Sequence, residues 1–395
     1  WPGEASLEVA QVWLHRGEWP GEFVLNEQPV AGITPFLTVP GAIAGNPFRL
    51  AANADKSFQG SIVLGMGFVL TPEEAQALIT RNPRNKACLF PYLNGEDLNS
   101  RWDQSPSRWV INFQDWPLHR QAEGNWQTAD EKQRKEWLQS GNVPADYPDP
   151  VATDYLELLK IVEERVKPER IANNDKGARQ YWWRFLRIRS ELYSTIAGMG
   201  RVLVIPETTK YCIFSLCSIN LVFSHMTKII VLNKSSDFSL LNSSIHESWA
   251  WQHCSTMRDA GLRYTPSSGF ETFPFPLNLS GLDAIGERYY THRQTIMQTR
   301  REGLTATYNR FHNAHDRAPD IQQLRDLHVE MDRAVAAAYG WQDLALDHGF
   351  HDTKQGVRFT VSEAARRELL DRLLALNHQR HREEVESAIQ SNSTR

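Results

Sequence analysis

The stretch richest in residues able to do chemistry runs from Lys167 to Arg189. It carries Lys167, Arg170, Lys176, Arg179, Arg184, Arg187 and Arg189, with Tyr181, Trp182, Trp183 and Phe185 set among them. A guanidinium fork donates two parallel hydrogen bonds to a phosphate, and aromatic rings pack against sugars and bases. Cations interleaved with aromatics therefore suit a phosphate-gripping surface. The same order also suits an amphipathic segment whose rings are core and whose arginines extend along it to water. Composition alone leaves both readings open.

Other reactive-looking groups have plainer readings. His246-Glu247-Ser248-Trp249 places His246 and Trp249 on one face of a helical turn. A functional role is open there, but a packed indole beside a hydrogen-bonded histidine is the better explanation. Glu73-Glu74 stands at a helix start, where carboxylates favour the dipole. Glu96-Asp97 falls in a loop and Glu383-Glu384 on a solvated helix, so neither forms a metal cluster. Gly65-Met66-Gly67 lacks a third glycine and reads as a kink in a strand. Neither a phosphate-binding loop nor a His-Glu-x-x-His or Gly-x-Ser-x-Gly motif is found. The residues thus nominate no catalytic group and no metal site.

The elements that must position these residues are expected as a mixed α+β fold. Trp1–Phe48 reads as β-hairpin material, with Leu7, Val9, Val12 and Leu14 in a strand-like run and a turn over Gly17–Gly21. Ile62–Leu70 reads as a strand, and Thr71 caps a helix that starts at Pro72 and stops before Asn82-Pro83. Arg108–Phe113 alternates as a strand, and Asp115–Pro150 is polar and turn-rich. Asp154–Arg170 is expected as one helix, followed by three short strands within Arg201–Leu232. After Pro276 the chain reads as mostly helix, with strong periods at Ile321–Tyr339 and Ser362–Glu386 and a frayed end over Ser391–Arg395.

Composition bounds the class. With 395 residues and 41% hydrophobic content the chain can bury two or three cores, and it is neither fibrous nor low-complexity. No apolar run is long enough to span a bilayer, so no membrane partner is expected. The cysteines Cys88, Cys212, Cys217 and Cys254 form no CxxC pair, which favours a reducing, cytoplasmic setting over a disulfide framework or a zinc site. A formal charge of -4 counts mildly against nucleic acid unless cations are concentrated locally, as they are at 167–189. The 13 tryptophans exceed what core packing ordinarily needs and hint at recognition surfaces.

Several phrases, in order, then carry a resemblance. They are Ser57-Phe58-Gln59-Gly60, Gly67-Phe68-Val69-Leu70, Glu73-Glu74-Ala75, Pro91 to Asn99 and Arg108 to Phe113. They continue through Tyr181-Trp182-Trp183, Arg201-Val202-Leu203-Val204, Ser224-His225, Ser243-Ser244-x-His246-x-x-Trp249, Arg263 to Ser267 and Glu271 to Pro276. Gly303-Leu304-Thr305, Tyr308-Asn309-Arg310, Tyr339-Gly340-Trp341 and Arg372 to Asn377 extend the series. This order resembles the target recognition domain and helical C-terminal region of MmeI-like (type IIL) restriction-modification enzymes and related adenine-specific DNA methyltransferases, including phage-defence relatives.

The resemblance implies a division into residues 1–56, the remnant of a methyltransferase catalytic domain; 57–278, a DNA target recognition domain; and 279–395, a helical domain. It also implies that the family's cofactor loop and catalytic motif precede Trp1. Asn46-Pro47-Phe48 lacks the second proline of the adenine-binding loop and reads as a simple turn. The segment itself would hold no cofactor, with S-adenosylmethionine belonging to the missing catalytic domain. Its partners would be double-stranded DNA and that catalytic domain, in the same chain or as a separate subunit. The seven cations of 167–189 would grip phosphates, and Thr208, Thr209, Lys210, Tyr211, Ser224 and His225 would read bases. The competing reading is a non-catalytic interaction or regulatory protein of a phage-defence complex that has lost DNA binding.

Overall fold

A computed structural model of the chain describes residues 16–17, 21–25, 28–30, 32–33, 45–257 and 261–393. They fall into two compact units, Trp1–Asn46 and Pro47–Arg395. In the first, Phe23–Leu25 pairs antiparallel with Gln28–Val30. The strand expected over Leu7–Leu14 lies outside the described residues, as does the middle of the turn over Gly17–Gly21.

The second unit is α+β and is built around one strand. Arg201–Pro206 is flanked by Ser215–Ser218 and Thr227–Ile230, and the latter pairs with Ser57–Gln59, all antiparallel. Its run Val202-Leu203-Val204-Ile205 is wholly buried because both faces are covered. Leu203 and Ile205 face a core shared with Met297, Tyr308 and Leu324 of the helices Asp283–Arg300, Leu304–Phe311 and Pro319–Ala338. Val202 and Val204 face Leu98 and Ile196, from the helices Gly95–Ser100 and Ser190–Ile196. The region expected as a separate helical domain from 279 therefore shares its main core with the strands before it. Residues 47–56 also belong to this unit, since the Leu50 amide donates to Glu271 and the Asn53 side chain to the carbonyls of Phe270 and Phe273.

A second sheet orders Val222–Phe223, Leu89–Leu93, Arg108–Ile111 and Val69–Leu70. Its helix Pro72–Arg81 begins as expected, with Thr71 Oγ1 accepting from the Glu74 amide at 3.2 Å and Glu74 answering on the Thr71 amide at 2.8 Å. The expected helix 154–170 is instead two, Leu156–Arg165 and Lys167–Ile171. Pro168 has no amide to continue the ladder and its ring crowds the preceding turn. The polar stretch 115–150 is ordered by His119–Ala122 pairing with Asn142–Pro144 around the helix Glu131–Ser140. That helix buries no residue, so it left no hydrophobic period to read. A third sheet orders Thr208–Thr209, Gly261–Arg263 and Ser255–Met257. Within the helical region the hairpin Gly349–Thr353 with Gly356–Thr360 was also unforeseen, and the last helix runs to Ser393.

The two main sheets meet at Gly60. The Ser61 amide donates to the Phe223 carbonyl at 2.8 Å, and a Cβ on Gly60 would strike the backbone of Phe223 and Ser224. Gly60→Ala must push these segments apart, and overpacking of this kind costs about 1–3 kcal/mol. Urea unfolding should show that loss; an unchanged midpoint would mean the junction has slack.

Candidate nucleic-acid interface

Where the strands end, the chain leaves a cleft of about 480 Å³. One wall is Leu64–Met66. The others come from Asn94–Glu96, Asn99, Arg108, Pro206, Thr208 and Ser224–Met226. Asn94 is fixed as the cap of its helix, accepting from the Glu96 and Asp97 amides at 2.7 and 3.2 Å. The turn at 224–226 is pinned from all sides. The Ser224 amide donates to Leu93, the His225 amide to Ser61 and the Glu207 amide to Met226, at 2.8, 2.9 and 2.7 Å. Among the described residues His225 Nδ1 is buried and has no hydrogen-bond partner. A buried polar atom without a partner is costly, so this nitrogen has unmet hydrogen-bonding capacity within the turn.

Glu207 fastens the cleft beneath its rim. It accepts from Lys228 Nζ at 2.8 Å, Arg263 Nε at 3.0 Å and Gln59 Nε2 at 3.4 Å. The Gln59 amide also donates to the His225 carbonyl at 2.9 Å, and Arg189 donates to Gln59 Oε1 at 3.2 Å. Burial alone would raise the Glu207 pKa, but the hydrogen bonds and charges of Lys228 and Arg263 hold it below the ordinary carboxylate value.

The seven expected phosphate contacts do not share one role. Arg170 is 1% exposed, and its guanidinium donates to the carbonyls of Leu64, Val63 and Arg184 at 2.8, 2.7 and 3.1 Å. This corrects its assignment: it cannot reach a phosphate, but it holds the Leu64 wall of the cleft, where the backbone takes φ of 48°. Arg184 is likewise turned inward, packed between Tyr181 and Trp183 and donating to the Trp116 carbonyl at 2.9 Å. Lys167 lies 4.7 Å over the Trp182 ring and donates to Glu163 at 2.6 Å. Arg189 serves Gln59. Lys176, Arg179 and Arg187 are exposed, Arg179 with one bond to the Asn173 carbonyl. Trp182, Trp183 and Phe185 are buried, so the rings of this stretch are core.

The expected base readers divide similarly. Thr208, Ser224 and His225 line the cleft together. Thr209 and Tyr211 are only 6% and 5% exposed, which corrects their assignment. The Thr209 hydroxyl is spent on the Tyr211 carbonyl at 2.8 Å, and the Tyr211 ring stacks on His312 with centroids 4.9 Å apart. Lys210 between them is exposed and donates to Asn309 Oδ1 at 2.7 Å. His246 takes the plain reading: fully buried, it meets the Tyr264 hydroxyl at 3.1 Å, and burial pushes its pKa down to about 3. Asn94, Asn99, Arg108 and Asn309 were missed as site residues. Only Asn94 had a legible signal, the strand-to-helix junction Leu93-Asn94-Gly95-Glu96-Asp97.

Glu207→Gln leaves Lys228 and Arg263 without their counter-charge, a loss on the order of 2 kcal/mol near neutral pH. Because the Glu207 pKa is depressed on folding, its contribution is present above the unfolded value and lost as pH falls through the folded one. Urea midpoints of the two proteins should therefore converge in acid; a gap that persists or widens there would contradict the ion-pair account.

Among described residues no helix is long and apolar enough to cross a membrane, and no group of three His, Cys, Asp or Glu could hold a metal ion. No curated protein matches the chain. A solved structure of the type IIL restriction-modification enzyme MmeI in complex with DNA matches at 18% identity and a TM-score of 0.54. The match covers 90% of this chain and 39% of that one, so the chain spans well under half of its structural neighbour and shares its fold over that part. The family model for the target recognition domain of MmeI matches residues 151–277, a span that holds Thr208, Lys210, Ser224 and His225. Over that span the chain is recognised as an MmeI-type target recognition domain, in agreement with the resemblance read from its sequence.

Proposed function

We propose that this protein recognises a specific sequence in double-stranded DNA, as the specificity portion of an S-adenosylmethionine-dependent adenine-N6 methyltransferase in a restriction-modification or phage-defence system. The observation that carries the reading is the cleft: Thr208 and His225 line it inside the span that matches the recognition domain, whereas Ser224, only 3% exposed, is as buried as Thr209 and Tyr211. Short polar side chains on strand ends are rigid, and rigid donors and acceptors distinguish base pairs by their major-groove edges. Lys176, Arg179 and Arg187 are exposed cations of the same span and would neutralise phosphates, setting register without reading sequence.

The glycine pair near the start of the second unit does not form a cofactor-binding loop. This Gly-x-Gly stretch, Gly65–Gly67, forms a 3-10 turn closed against the helix 156–165, where a Cβ on Gly67 would meet Arg165 at 2.6 Å. The turn is packed on protein instead of opening toward a cofactor. Methyl transfer would belong to a catalytic domain, in the same chain or as a separate subunit, and the protein would act in the cytoplasm.

Competition binding against randomised duplexes tests the reading. His225→Ala should flatten the preference at one base position, by roughly tenfold or more if it makes a paired contact. Arg187→Ala should weaken all sequences alike and lower the salt dependence by about one phosphate. A protein that binds every duplex equally, before any substitution, would refute the proposal.

A further inference from the structure

The segment that follows the strand Thr208–Thr209 meets the helical region through a shared side chain. Asn309, on the helix Leu304–Phe311, accepts from Lys210 Nζ at 2.7 Å and from the Tyr211 hydroxyl at 2.8 Å, both on Oδ1. An ammonium can only donate, so its presence fixes which end of the carboxamide faces Lys210. A carbonyl oxygen has two lone pairs, and both are used. The Asn309 Nδ2 protons meet no acceptor among the described residues, and Asn309 and Lys210 are both exposed. Lys210 has no carboxylate partner among those residues either, and it keeps two protons beyond the one given to Asn309. A second cation, Arg358, lies 4.7 Å from the centre of the Tyr211 ring.

We infer that Asn309 and Lys210 form one reader that offers hydrogen-bond donors only and selects guanine over adenine at one position of the DNA site. The inference rests on the DNA-recognition reading above. An asparagine with a free carbonyl pairs with adenine, accepting from N6 and donating to N7. Here the carbonyl is saturated, so that pairing is blocked. Guanine presents two adjacent acceptors, N7 and O6, which match the remaining donors. Cytosine presents a donor and is rejected; thymine offers one acceptor and is the weaker match. The same donors could instead meet a phosphate, a contact blind to sequence. The inference also gives the helical region a part in specificity that strand positions alone would not suggest.

The test is binding of the full chain to randomised duplexes, read as base enrichment at each position. Asn309→Leu removes the donors at similar size without adding charge, and should cost roughly tenfold in guanine preference at a single position. Lys210→Ala together with Tyr211→Phe frees the carbonyl, so enrichment at that same position should move from guanine toward adenine. Uniform weakening across all sequences with Asn309→Leu would mean a phosphate contact and overturn the inference, as would an unchanged profile. If the parent protein shows no sequence preference, the recognition reading itself fails and the inference falls with it. Preference retained in the parent but indifferent to both variants sinks the inference alone.

Discussion

The carboxylate of Glu207 is where the parts of this protein are held in register. Lys228 and Gln59 reach it from the four-stranded sheet and Arg263 from the small three-stranded one. Glu207 is also the link between the central strand ending at Pro206 and the strand Thr208–Thr209. Hydrogen bonds on charged groups are stronger than neutral ones, and they strengthen further away from water. Two cations on one carboxylate therefore fix the angle at which Thr208 and His225 leave the sheets.

Cations in this chain do two kinds of work, and counting them does not separate the two. Arg170, Arg293 and Arg325 are essentially buried, and their guanidinium groups donate to main-chain carbonyls at loop ends. Each ties irregular backbone that no helix or sheet ladder would satisfy. Arg325 alone serves the carbonyls of Phe311, Asp316, Arg310 and Asn313. The exposed remainder, Lys176, Arg179, Arg187 and Lys210 among them, is what a polyanion would meet. A formal charge of -4 thus says little about such a surface.

Much of the architecture was legible because local chemistry and tertiary packing agree. Thr71-Pro72-Glu73-Glu74 announced a capped helix, and the apolar run at 202–205 a strand. The helix Glu131–Ser140 was missed because it buries nothing, and the hairpin 349–360 because its neighbours are helices. The site was half legible. Thr208, Ser224 and His225 do meet at one cleft. Thr209 and Tyr211 turn inward on either side of the exposed Lys210, an orientation set by partners distant in sequence. Arg170 sits on a stretch whose pattern fits a surface cation equally well. Asn309 carried no local signal at all, since its role comes from Lys210, 99 positions away.

A duplex bound as proposed lies across the cleft and the Lys210–Asn309 edge. Amide hydrogen exchange with and without a bound specific duplex measures this directly. Slowed exchange over 206–211, 224–226 and 304–311, with weaker effects near 176–189, is the predicted result. Binding that leaves those segments unchanged and protects other surfaces would contradict it.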